Sequence, residues 1–176
     1  TSNGRIMLKM RDDHAVKVDM GEPVLQPDQV PFEATTQAPS YSLEQDGHNY
    51  TLGVVSMGNP HAVLVVDDVA SAPVFELGSK LEQHPRFPNK ANIGFMQIID
   101  RNTIKLRVFE RGVGETKACG TGACAAVVVG QQQGLLDTNV TTQLTGGNLA
   151  IQWQGPGHHL FMDGPATHVY EGQIKL

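Results

Sequence analysis

Apolar and polar side chains alternate from the start of the chain. Ile6, Leu8 and Met10 alternate with Met7, Lys9 and Arg11, and Val16 and Val18 alternate with Lys17 and Asp19. Asp12-Asp13 separates the two runs. A period of two marks a strand with one buried face, so the pattern predicts an antiparallel hairpin. Between residues 21 and 47 the periodicity breaks. Pro23, Pro27, Pro31 and Pro39 fix φ and remove donors, which predicts a linker or edge-wrapping segment and a domain boundary. β-rich runs resume at 49–57 and 61–66, joined by Gly58-Asn59-Pro60, a turn sequence. Asp68 is placed to cap a helix through Val74, Phe75, Leu77 and Leu81 that ends before Pro85. Further β-rich runs cover 93–99 and 103–109, and a polar, glycine-containing loop follows over 110–118. Residues 122–133 are apolar all round and built of small side chains, which predicts a buried helix with Gly134 as its stop. Strand patterns return at 140–144, 149–153, 160–162 and 168–176. Many strands around two helices, one of them central, predict an α+β fold: a curled, mostly antiparallel sheet around a buried central helix.

Composition narrows the function classes. The chain has 176 residues and a net charge of −5. An acidic balance disfavours a nucleic-acid or anionic-membrane surface. No apolar run approaches the roughly 18–20 residues of a membrane span. Only two cysteines occur, Cys119 and Cys124. They exclude a multi-disulfide scaffold and a four-cysteine zinc site, and their spacing is not the C-x-x-C of thiol redox proteins. The seven histidines show no metal-ligand spacing, and a reducing compartment is expected. Thr1–Arg5 reads as the approach to a strand and not as a leader peptide, and the missing initiator Met points to a piece of a longer protein.

The segment Cys119-Gly120-Thr121-Gly122 carries the sharpest chemistry. A cysteine at a helix start has its thiolate favoured by unpaired N–H groups and the macrodipole. The glycines leave backbone amides unobstructed for a carboxylate or phosphate. A base and an anion clamp side by side suit proton abstraction next to a carboxylate, or covalent attack. Two other readings stay open. Cys119 can be a small buried hydrophobe. Gly120-x-Gly122-x-x-Ala125 also fits a dinucleotide fingerprint, but nine residues separate Phe109, the end of the preceding strand, from Cys119, and no acidic residue ends the next strand. Cys124 lies about 140° further round the helix and reads as structural. In isolation, Asn59 and His61 read as a turn with an exposed histidine, Glu110-Arg111 as a solvated pair, and Asn92 as a strand cap.

Taken together, Gly58-Asn59-Pro60-His61, Ala91-Asn92-Ile93-Gly94-Phe95, Val108-Phe109-Glu110-Arg111-Gly112, Gly114-Glu115-Thr116 and Ala118-Cys119-Gly120-Thr121-Gly122 resemble diaminopimelate epimerase. The resemblance runs through all 176 residues and matches the C-terminal portion of the family's chain. It implies an isomerase without cofactor or metal that interconverts LL- and meso-diaminopimelate. Two cysteines would face each other across the substrate α-carbon, one as thiolate base and one as thiol acid. The process implied is lysine and peptidoglycan-precursor synthesis in a cytoplasm of bacterial type.

Carried over position by position, the resemblance makes Cys119 one of the two catalytic thiols. Gly120 and Thr121 hold the reacting carboxylate. Asn59, Asn92 and Arg111 bind the distal end, and Glu110 meets the distal amine. His61 and Glu110 tune the thiols. The family's other cysteine, in an Asn-Cys-Gly-Asn-Gly segment, is absent here, so the chain alone is expected to be inactive. Residues 1–20 and 165–176 would be strands of an incomplete N-terminal domain, and 21–164 the C-terminal domain. The partners implied are a small-molecule amino acid and, for the intact enzyme, a second copy in a homodimer. A proline racemase-like two-thiol enzyme, a dinucleotide-binding oxidoreductase and a non-catalytic binding module remain alternatives.

Overall fold

Continuous buried runs, more than alternating ones, shape this molecule. The structure, a computed structural model, describes residues 7–11, 15–167 and 169–174. Its elements are β1 (Met7–Met10), β2 (Ala15–Asp19), β3 (Tyr41–Gln45), β4 (His48–Ser56), β5 (Pro60–Val65), α1 (Val74–Glu82), β6 (Asn92–Asp100), β7 (Thr103–Glu110), β8 (Gly114–Thr116), α2 (Gly120–Gln132), β9 (Asn139–Leu144), β10 (Gly147–Gln152) and β11 (Phe161–Pro165). The strands form one open, mixed sheet in the order β1-β2-β11-β10-β9-β7-β6-β5-β4-β3, with β8 added to β7. Among the described residues, β5–β6 and β7–β9 pair in parallel and the other ladders are antiparallel. The molecule is mostly sheet with two helices, as the sequence pattern predicts.

The central strands are covered on both faces, so they read as unbroken apolar runs. Their side chains still alternate between two cores. Val55, Val63, Met96, Ile104, Leu106 and Val108 join the core around α2. Leu52, Val54, Ala62, Leu64, Ile93, Phe95 and Phe109 join the one that includes Val74 and Leu81 of α1. Residues 122–130 of α2 are buried without interruption, because β4, β5, β6, β7, β9 and β10 all pack on the helix. Small residues permit that approach. A Cβ at Gly53 would lie 2.3 Å from Val129 Cγ1, so β4 could not come as close with any other residue there.

Several expectations need correction. The stretch 21–47 is more than a linker. Val24 bridges Ser56, Val30 and Phe32 are buried, and β3 closes a hairpin with β4. Its turn is Asp46-Gly47, both at positive φ, a strong hairpin signal that the prolines upstream obscure. Asp68 does not cap α1. It caps a preceding turn through Ala70 N–H, and the helix begins only after Pro73, leaving Phe75 exposed. β1 is exposed along its whole length, Leu8 included at 65%, so the hairpin lacks the buried face expected there. The last sheet strand is β11, and Pro165, which has no N–H, stands at its end. The strand expected over 168–176 is not formed at 169–174, where Val169, Tyr170 and Ile174 are exposed. Ile6, Asp12-Asp13, His168 and 175–176 lie outside the described residues.

Candidate active site

Topology gathers the predicted residues at one end of the sheet. β5 and β6 run parallel with His61 opposite Asn92. β7 returns antiparallel with Phe109 opposite Ile93. The starts of β5 and β6 therefore meet the end of β7. α2 begins at the same end, since Asn59 Nδ2 donates to Thr121 Oγ1 at 3.4 Å. This brings Asn59, His61, Asn92, Glu110, Arg111, Cys119, Gly120 and Thr121 together. A cavity of about 590 Å³ lies elsewhere, lined by residues such as Leu149, Asp163 and Gly164, and the site residues do not line it.

Cys119 is the N-cap of α2, in extended conformation, and only 6% exposed. Its carbonyl accepts the first helical bond, from Ala123 N–H at 2.9 Å. The amides of Gly120 and Thr121 open the helix and have no carbonyl within it to bond. Sγ lies 3.6 Å from Thr121 Oγ1. The expectation of an acidic sulfur needs correction. Burial pushes the Cys119 thiol above its ordinary value, and Glu110 adds to the rise. The Thr121 hydroxyl and Gly122 N–H pull the other way without overcoming burial. Gly122 keeps this corner open, since a Cβ there would lie 3.0 Å from Val108 Cγ2 and 3.2 Å from the sulfur. Cys124 is fully buried in the helix core, and burial raises its thiol strongly. It is a packing residue.

His61 reaches the sulfur only through intermediaries. Burial, assisted by the Arg111 charge, lowers its pKa to about 3, so the ring is neutral at physiological pH. Nε2 lies 3.1 Å from Asn59 Oδ1. A neutral ring donating there leaves Asn59 Nδ2 to donate to Thr121, which frees the Thr121 hydroxyl proton for the sulfur. Thr121→Val removes that donor. Its thiol is expected to titrate at higher pH, seen as an upward move in the midpoint of the Cys119 alkylation profile, with Thr121→Ser near wild type. An unmoved midpoint would remove the hydroxyl from the thiol's surroundings.

Asn92 and Arg111 are tied to backbone. Asn92 Nδ2 donates to Pro60 O at 3.0 Å, and Asn92 Oδ1 accepts Arg111 N–H at 3.0 Å. The exposed Arg111 guanidinium donates to Asn89 O at 2.9 Å. Glu110 accepts a hydrogen bond from the Thr116 hydroxyl. Thr116 and Asn89 were assigned no role from the sequence. Thr116 falls in the quoted Gly114-Glu115-Thr116 segment, whereas Asn89 acts through its carbonyl and leaves no side-chain signal. The dinucleotide reading finds β7 and β9 parallel across α2, but β8 separates β7 from the glycines. No cluster of three or more His, Cys, Asp or Glu able to hold a metal occurs among the described residues. Nor is any helix there long and apolar enough to cross a membrane.

Residues 53–169 match the family model for diaminopimelate epimerase. The chain belongs to the diaminopimelate epimerase family. It is 56% identical over 176 residues to the diaminopimelate epimerase of Pseudomonas syringae pv. tomato (strain ATCC BAA-871 / DC3000) and 55% identical to that of Stutzerimonas stutzeri (strain A1501). It covers 100% of itself and 64% of the length of each of these relatives. Among solved structures it is similar to a probable proline racemase from Agrobacterium radiobacter K84 with bound carbonate. That match has a TM-score of 0.72 at 15% identity and covers 100% of this chain and 59% of the other. A hydroxyproline epimerase from Agrobacterium vitis, with bound trans-4-hydroxy-L-proline, gives a TM-score of 0.60 at 14% identity, covering 91% and 53%. These two likenesses concern the fold. They agree with a mixed, mostly β architecture shared by the family and its racemase neighbours.

Proposed function

We propose that this chain supplies one half of a two-base active site that inverts the α-carbon of diaminopimelate. The observation that carries the reading is Cys119 at the start of α2, between the opening amides of the helix and Glu110, with Arg111 one residue further on. The N–H groups of Gly120 and Thr121 hold the reacting carboxylate. That carboxylate brings the Cα–H bond to Sγ. The Cys119 thiolate takes the proton, the electron pair moves into the carboxylate as an enediolate, and a thiol on the opposite face returns a proton. In the reverse direction the two sulfurs exchange roles.

Arg111 offers a planar fork for the distal carboxylate, and Asn59 binds the same end of the substrate. Glu110 takes the distal ammonium and, with His61 acting through Asn59 and Thr121, tunes the thiol. Asn92 serves by seating Arg111. The opposite thiol belongs to a further domain, to which residues 1–20 and 165–176 also contribute, with 21–164 as the second domain. The six consecutive strands from β10 to β4 of the sheet path pack on α2, which supports a sheet curled round it. The enzyme works without cofactor or metal as a homodimer in a bacterial-type cytoplasm, in lysine and peptidoglycan-precursor synthesis. A proline racemase-like activity is the second reading, favoured by the fold neighbours alone. A charged pair at 110–111 suits a substrate with a second zwitterionic end, which proline lacks.

The test is a pair of substrates and one variant. Enzyme of full family length is expected to invert diaminopimelate and leave proline unchanged. Arg111→Lys is expected to raise KM for diaminopimelate by about tenfold, because an ammonium does not reproduce a bidentate grip. Inversion of proline, or an unchanged KM in the variant, would sink the reading.

A further inference from the structure

Glu82 is the last residue of α1 and is 5% exposed. An acid in the last turn of a helix faces the negative end of the macrodipole. Burial there needs compensation, and the compensating groups are those around Arg111. Glu82 Oε1 accepts Gly112 N–H at 2.8 Å and lies 3.7 Å from Lys90 Nζ. Its backbone carbonyl accepts Ala91 N–H at 3.2 Å. Lys90 and Ala91 continue the loop whose Asn89 carbonyl receives the Arg111 guanidinium. One residue thus joins the turn that carries Arg111 to the loop that receives its side chain.

The turn needs such a tie. Gly112 is at φ +73°, and Arg111 N–H and Gly112 N–H are both satisfied by side chains from other elements. α1 is seated against the end of β7 through Gly78, where a Cβ would come within 2.7 Å of Phe109 Cβ. Glu110 is anchored independently, by β8 pairing and by Thr116. We propose that Glu82 is a positioning residue that sets the Arg111 guanidinium for the substrate's distal carboxylate. This rests on the reading of Arg111 given above.

The experiment uses the full-length enzyme and diaminopimelate. Glu82→Met keeps length and apolar bulk but removes the acceptor. It is expected to raise KM about tenfold with kcat within about threefold, the pattern of lost substrate binding. Glu82→Gln keeps a carbonyl acceptor for Gly112 and is expected to restore most of the KM. On an Arg111→Ala background, Glu82→Met is expected to add nothing, since residues acting through one group are not additive. A fall in kcat at constant KM, or the same added loss on the Arg111→Ala background, would reduce Glu82 to a stability role and overturn the proposal. An unchanged KM in Arg111→Ala itself would overturn the reading of Arg111, and this proposal with it. Should Glu82→Met fail to fold, Glu82→Asp, one methylene short of Gly112, is expected to raise KM where Glu82→Gln does not. Equal KM in those two would overturn the proposal.

Discussion

Cys119→Ser in the full-length enzyme is expected to lower the rate of α-carbon inversion by roughly a thousandfold, in the range that positioned acid–base groups contribute. The substitution changes one atom at the N-cap and leaves the amides of Gly120 and Thr121 where they are. Substrate binding is therefore expected to survive. What is lost is proton transfer. A serine hydroxyl is a far weaker acid than a thiol, and the Thr121 and Gly122 donors beside it cannot make up that difference. The native thiol already stands above its ordinary value because of burial and Glu110. That places it on the unfavourable side of neutrality, so the rate should rise with pH as the thiolate forms. The serine variant should show no such rise in the accessible range. Deuterium entry at Cα together with loss of optical configuration, followed across pH, measures both. Turnover within tenfold of wild type, or a wild-type pH profile, would take Cys119 out of the chemistry.

How far the site could be read in advance depends on which residues carry local signals. Cys119, Gly120 and Thr121 were legible because small residues preceding an all-apolar run mark a helix start. The turn at 58–60 and the acid–base pair at 110–111 were legible in the same way. The helix start favours the thiolate, yet the net shift of the Cys119 thiol is upward. Dipole and amides act locally, but the Cys119 burial that outweighs them comes from tertiary packing. His61 and Asn92 were visible as residues and not as connections. The bonds Asn59–Thr121 and Asn92–Arg111 join segments 62 and 19 positions apart, separations no pattern reports. Glu82 is the extreme case. An acid beside Gln83 at a helix end looks solvated, and the packing of α1 against β6, β7 and β8 leaves it buried. In the fold, the strand predictions held where both faces are covered. They failed where prolines mask a hairpin, at β3, and at 169–174, where the apolar side chains are exposed.

The 176-residue chain on its own is expected to invert diaminopimelate at less than about a thousandth of the full-length rate, because inversion needs acid and base on opposite faces of one carbon. Cys119 can serve one face. Cys124 cannot serve the other: it lies on the same helix, turned into the core, fully buried, with its thiol raised strongly by that burial. Glu110 interacts with the Cys119 sulfur and so works on its side of the site. His61 is neutral, buried and engaged with Asn59. A proton removed by Cys119 would therefore return from Cys119, to the face it left. The expected signature is slow deuterium entry at Cα with the starting configuration kept, and its disappearance in Cys119→Ser. Exchange with retention would isolate the half-reaction that this chain supplies. Inversion by the 176 residues at the full-length rate would mean that a second acid is present within them, and the assignment of the opposite face to a further domain would fall.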